Sequence, residues 1–398
     1  MDESIKNRLH DILKDNSITF SHSSLPDSLN IPADLYGVSF LFDNDFKGLK
    51  DLKDLKKKLP NTRKSTPETA IKHIREAYRQ ERLNFVLGAG ISINYGIPAW
   101  DALLQRLLMK TIEQKPDNAV ILSQLFSKIF NPSPLIAGRY LQECYKDEEK
   151  SKNKFEKEVR KALYETFNKD AESLIVDEII KFCLAPGNSP NLGGIITYNY
   201  DDIIETKLRE KNLDIPFESV YGQAINPEND ILKIYHVHGF LPCEGNIDTD
   251  NKITLGEFVY HEQYINMYSW NNIVQINKFR DCICLFIGIS LQDPNIRRLL
   301  DIANSQKKSR KYHYIFRKRT DKKWLKKAIS KTVSENPELQ KEQERIEVKL
   351  EETIDFLIEL KNRFDEKDSE SLGVKTVWVD NFDQDISEIL KRIRQGEE

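Results

Sequence analysis

Four short clusters in this 398-residue sequence carry side chains able to do chemistry, and each follows an apolar run. In the first, Gly88-Ala89-Gly90-Ile91-Ser92, a turn free of bulky side chains lets backbone N–H groups approach a pyrophosphate at the positive end of a following helix. A tight strand-to-helix connection produces the same turn, and the full GxGxxG fingerprint is absent. The second, Thr197-Tyr198-Asn199-Tyr200-Asp201, sets an amide and a carboxylate on the same side of a strand end, where they can orient a ribose hydroxyl or a water. Taken alone, capping of a helix that starts at Asp201-Asp202-Ile203 is the commoner use of such residues. In the third, His236-Val237-His238-Gly239, His238 can serve as a general base, because an unperturbed histidine titrates near neutrality, although a lone histidine there is more often structural. His236 and His238 could share a metal, but no third ligand follows at a convincing spacing. The fourth cluster is Gly288-Ile289-Ser290.

Positioning these groups requires strands that end together. Apolar strands are expected at LNFVLGAG, GGIITYNYD (193–201), ILKIYHVHG (231–239), CICLFIGIS (282–290), KYHYIFRK and GVKTVWVD, alternating with helices. That alternation predicts an α/β fold, a Rossmann-like, doubly wound, mostly parallel sheet, in which strand C-termini line one ligand crevice. The expected organisation is an N-terminal helical and loop extension over 1–66 and one Rossmann-like domain over 67–398. Within that domain a helical insertion subdomain occupies about 105–187, and an α/β completion about 306–398. Helices are expected from Pro67 to about Gln80, from near Pro98, at PNIRRLLDIANSQ, around 335–365 and at QDISEILKRIRQ. In the long helix Ile346, Leu350, Ile354, Leu357, Leu360 and Phe364 recur at three- and four-residue steps, which predicts a core-facing side.

With 39% apolar and 31% charged residues and a net charge of -3, the composition is that of a globular chain and gives no global argument for nucleic acid. The basic, aromatic-interleaved run Lys307 to Lys327 reads as a solvated strand edge and helix face, so nucleic acid is not an expected partner for this chain alone. No leader or membrane-length apolar run is visible, and the cytoplasm is the expected location. Five cysteines without a CxxC pair suggest neither a disulfide framework nor a zinc tetrad, and Cys282 and Cys284 are expected to pack along a central strand.

Taken in order, GAGIS (88–92), GIPAW (96–100), TYNYD (197–201), VHG (237–239) and GIS (288–290) resemble the sirtuin family, over roughly residues 83–305. The resemblance implies NAD as substrate, with Gly88, Ala89, Gly90 and Ser92 on its phosphates and the turn containing Gly288 and Ser290 towards the adenosine. It further implies Asn199 beside the nicotinamide ribose positioning water, Asp201 on the carboxamide, His238 as the base, and Trp100 shielding the nicotinamide pocket.

Only Cys243 follows the HG pair where deacylating sirtuins carry two cysteine pairs, so no zinc is expected, and Trp100-Asp101 replaces a phenylalanine-arginine pair. With the helical insertion, these departures resemble the prokaryotic sirtuin-like proteins of antiphage defence, which hydrolyse NAD. The expected activity is NAD glycohydrolysis that depletes cellular NAD, with an NAD-dependent protein deacylase or a non-catalytic nucleotide sensor as alternatives. Within 398 residues no room is evident for a second nucleotide-sensing domain. A homo-oligomer is therefore expected, and by analogy a separate HerA-type ATPase partner.

Overall fold

The computed structural model describes residues 67–112, 134–146, 153–184, 192–211, 216–222, 231–248, 251–306, 312–335 and 350–396. The expected 1–66 extension, residues 307–311 of the basic run and 336–349 of the long helix lie outside the described residues. Seven strands form one sheet: β1 (Leu83–Leu87), β2 (Leu192–Thr197), β3 (Phe217–Val220), β4 (Leu232–His236), β5 (Ile283–Ile287), β6 (His313–Lys318) and β7 (Val374–Val379). Their spatial order is β3-β4-β2-β1-β5-β6-β7, and every neighbouring pair is parallel, so the fold is a Rossmann-like α/β sheet.

Helix α1 (Pro67–Arg79) precedes β1, and α2 (Trp100–Ile112), α3 (Pro134–Lys146), α4 (Lys154–Leu163) and α5 (Leu174–Cys183) separate β1 from β2. After β2 come α6 (Ile203–Glu210), then α7 (Glu257–Ile265) and α8 (Trp270–Asp281) between β4 and β5, and α9 (Pro294–Ser305) after β5. Helices α10 (Lys322–Glu335) and α11 (Leu350–Ser371) join β6 to β7, and α12 (Phe382–Gln395) follows.

Covering both faces explains the composition of the strands. All five residues of β1 are buried. Phe85 and Leu87 face a core built from α1, α2, α4, α5, α6 and α12, while Val86 faces a second core built from α8 and α9. Leu285 and Ile287 against Cys284 and Phe286 repeat this division in β5. Period-two alternation with both sides apolar is what a central parallel strand requires. The chain leaves β1 towards the first face and β5 towards the second, so the boundary between these neighbouring strands is the topological switch point, where a crevice opens at their C-termini.

Three details differ from expectation. Strand β3 was not anticipated, because only Val220 of its four residues is buried and a half-polar edge strand has no clear apolar period. Cys282 caps the C-terminus of α8, so only Cys284 packs within β5. In α11, Ile354 and Leu360 are buried but Phe364 is half exposed, so the apolar stripe does not persist through the last turns.

By internal contacts the chain divides into two units, Leu59–Arg319 with Asn362–Glu398, which holds the whole sheet, and Met1–Lys58 with Thr320–Lys361. In the second, Lys322 pairs with Glu351 and Asp355, and Lys326 with Glu351. In the first, Arg317 lies 3.9 Å from Asp365 and Arg319 lies 3.2 Å from Asp380, so four basic residues of the 307–327 run face acidic partners. No helix among the described residues is long and apolar enough to cross a membrane.

Candidate active site

The loops leaving β1 and β5 touch backbone to backbone at the switch point. Gly88 N–H donates to the Ile287 carbonyl at 3.0 Å and Gly90 N–H to the Gly288 carbonyl at 2.9 Å. A Cβ on Gly88 would stand 2.6 Å from the Gly288 oxygen, and one on Gly90 would stand 2.7 Å from Gly288 Cα. Gly288 itself has φ +71°. After Gly88 the chain takes two single 3-10 turns, Ala89–Ile91 and Ile93–Tyr95, before α2 begins at Trp100. The N–H groups of Ile91 and Ser92 donate to the Gly88 and Ala89 carbonyls within the first turn. With those of Gly88 and Gly90, four loop donors are thus spent on backbone acceptors rather than aimed into the crevice.

Beyond the glycine contact, Asn199 at the end of β2 crosses to the β1 loop. Its Nδ2 donates to the Gly88 carbonyl at 3.2 Å and to Ser92 Oγ at 3.1 Å, and its own N–H donates to Thr197 Oγ1 at 3.1 Å. Ser92, fully buried, passes a hydrogen bond on to the Asp201 carboxyl. Asp201 also accepts from Ile203 N–H at 3.3 Å, whereas the formal N-cap residue of α6, Asp202, makes no side-chain cap bond. Asn199, Ser92 and Asp201 are therefore one connected group against Gly88. Asp201 both caps and faces the site.

Burial pushes the Asp201 carboxyl up to about 6, against the lowering effect of the Ser92 and Ile203 hydrogen bonds, from an ordinary 3.8. A carboxyl raised by folding binds its proton more tightly in the native state, so it opposes stability increasingly as pH rises from about 4 to about 6 and by a constant amount above that. The shift corresponds to about 3 kcal/mol. Asp201→Asn is expected to stabilise the chain by that order at pH 7.5 and hardly at all at pH 4, as read by urea unfolding. An equal effect at both pH values would contradict a buried, reluctantly ionised carboxyl.

His238 lies buried just past the end of β4. Burial lowers its affinity for a proton, opposed by Asp293, whose Oδ2 stands 3.6 Å from Nε2. That nitrogen is buried with no hydrogen-bond partner, while the rings of Tyr198 and Tyr260 enclose the imidazole edge-on at 4.7 and 5.9 Å. Tyr260 OH donates to Asp293 Oδ2 at 2.5 Å, and Asp293 Oδ1 caps α9 through Asn295 N–H and Ile296 N–H. Asp293 is a site residue the sequence reading missed. Its signal is the Asp-Pro helix start three residues after Ser290.

Other expected residues lie around this group. Ser290 is exposed, its Oγ accepting from Gln292 N–H at 3.4 Å. Trp100 packs half-buried on the first core with a buried Nε1 that has no partner. His236 and His238 do not share a site, since His236 turns to Glu205 at 2.7 Å. Among the described residues no group of His, Cys, Asp and Glu could hold a metal ion. A cavity of about 820 Å³ adjoins the end of β4, lined among others by Val237, Gly239, Thr254, Trp270 and Asn271.

The switch point brings the Gly88 and Gly288 loops together with the Asn199 amide and the raised Asp201 carboxyl, with the His238 imidazole buried past the end of β4, and in a doubly wound sheet this is where ligands bind. The SIR2-like domain family matches residues 193–348, which supports a sirtuin-like chain with an NAD-related function. The match includes Asn199, Asp201, His238 and Gly288, and the glycine loop that precedes it is bound to it through Gly288 and Asn199. No curated protein matches the chain.

Proposed function

We propose that the chain is an NAD glycohydrolase, in which water attacks the anomeric carbon of the nicotinamide ribose and releases nicotinamide, ADP-ribose and a proton. The observation that carries this reading is the convergence of Asn199 and Asp201 on the Gly88 loop, with His238 held nearby in sequence order and fold. Breaking the N-glycosidic bond builds positive charge on the sugar, and fixed dipoles and a carboxylate stabilise it without forming a bond. Asn199 Nδ2 is anchored to the protein, leaving its Oδ1 to orient a ribose hydroxyl or the attacking water. His238, held neutral by burial, offers Nε2 as proton acceptor, and Asp293 steadies the imidazolium that results. NAD would lie against the glycine turn, whose shape depends on Gly88 and Gly90, since a side chain at either would collide with the Gly288 backbone and part the two loops.

An enzyme that spends NAD on water starves its own cell, so the activity must be restrained. Its role is antiphage defence by NAD depletion, with a homo-oligomer or a HerA-type ATPase as the restraint; the support for this is the resemblance carried by the missing cysteine pairs, the Trp100-Asp101 replacement and the helical insertion. The test is incubation of the purified chain with NAD, alone and with an ATPase encoded beside it, following nicotinamide and ADP-ribose. Equimolar release of both is expected. Measurable NAD binding without release in either condition would overturn the hydrolase, and NAD-dependent loss of acyl groups from a peptide would replace it with a deacylase.

A further inference from the structure

His236 closes β4 with its ring buried between two acceptors. Nε2 stands 2.7 Å from Glu205 Oε1 and Nδ1 stands 3.3 Å from the Asn199 carbonyl oxygen, and both side chains are 1% exposed. Ser219 Oγ of the edge strand β3 donates to the same carboxylate at 2.9 Å, and the Phe240 ring lies 4.2 Å from the imidazole. A peptide carbonyl has no proton to give, so Nδ1 donates to it, and against an ionised Glu205 Nε2 donates as well, an arrangement an imidazole makes only as the cation. Burial works to raise the Glu205 carboxyl, but the His236 charge and hydrogen bond, with hydrogen bonds from the backbone and from Ser219, outweigh it and leave it below its ordinary range. Asp201 is the other charged group acting on the ring. A buried ion pair is tolerable when further hydrogen bonds support it, as Ser219 does at Glu205 and the Asn199 carbonyl does at His236.

We propose that Glu205 and His236 are a buried, charged positioning pair that grips the backbone carbonyl of Asn199 and thereby aims its side-chain amide. This rests on the reading of Asn199 as the group that orients ribose or water. The Asn199 backbone is held at both ends, by Thr197 Oγ1 on its N–H and by His236 on its carbonyl, so releasing one end lets the peptide rotate and the amide leave Gly88. A pair that only tied β3, α6 and β4 together would lower stability without changing turnover per folded molecule.

The test has two arms on the full chain. In ¹⁵N-histidine-labelled protein, the His236 ring, assigned through His236→Asn, is expected to show both nitrogens protonated at the assay pH; a neutral ring overturns the charged pair. In kinetics, His236→Leu is expected to lower kcat about 100-fold with KM for NAD within about threefold, since a displacement near 1 Å costs that much. His236→Asn, which restores a donor near the position of Nδ1, recovers about tenfold of it. Unchanged kcat in His236→Leu, or no recovery in His236→Asn at equal folded fraction, overturns positioning. The Asn199 side-chain amide resonance, which should move in His236→Leu and hold in His236→Asn, decides the same point without turnover. A wild-type chain that does not cleave NAD therefore overturns the function proposed above while this inference is still decided.

Discussion

Asn199→Ala is expected to lower the proposed nicotinamide release by about 10²–10³-fold, the loss that follows when one fixed polar group is withdrawn from a developing charge. The effect falls on kcat more than on KM, because the Gly88 and Gly90 N–H bonds to the end of β5 still hold the loop once the Asn199 bond to the Gly88 carbonyl is lost. Asn199→Asp is no rescue: a carboxylate has no proton to donate to the Gly88 carbonyl and would stand beside the Ser92–Asp201 pair. His238→Ala is expected to cost about 10²–10⁴-fold and to remove the rise of activity on the acid side of the pH profile, which depends on neutral imidazole. Steady-state assays of released nicotinamide measure all three. Retention of full kcat by Asn199→Ala would remove Asn199 from the chemistry altogether.

Gly288→Ala is expected to damage both the fold and the site. Its φ of +71° is strained for any L side chain, and the new Cβ would meet Ile91 N at 2.8 Å, Gly88 O at 3.0 Å and Gly90 C at 3.0 Å. All three are backbone atoms. No rotamer change relieves the clash, so the two loops must part, at about 2–5 kcal/mol when overpacking and left-handed strain are combined. Chemical unfolding reads that loss directly. The surviving folded molecules should bind NAD poorly, because the parted loops no longer form a cradle. A variant as stable as the parent would mean that the β1 and β5 loops do not touch in solution.

The parts of this arrangement legible in the sequence are those where one residue type has one physical use. Apolar runs ending in glycine or polar clusters marked β1, β2, β4 and β5 together with the crevice, because buried parallel strands cannot be written in another composition. Asn199 and Asp201 were visible as neighbours on one side. Their link through Ser92 was not, since Ser92 stands more than a hundred residues earlier and a serine after a glycine turn reads equally as a phosphate ligand. Asp293 and Glu205 were invisible for a similar reason: each lies at or within a helix start, where an acidic residue needs no further explanation. Strand β3 was lost because an edge strand is half solvated and keeps no apolar period.

The central place of β1 also sets the order in which the molecule can be made. Leu83 pairs with Leu192 on one side and with Ile283 on the other, so the middle of the sheet closes only after about two hundred further residues have left the ribosome. Until then the chain carries an apolar strand open on at least one side, since β2 comes before β5, and such prolonged exposure slows folding and invites holding by chaperones. The same delay is protective. The Gly88 loop meets Gly288 only when β5 has been synthesised and docked, so a nascent fragment has no assembled crevice, and the proposed hydrolase would have no site during its own manufacture.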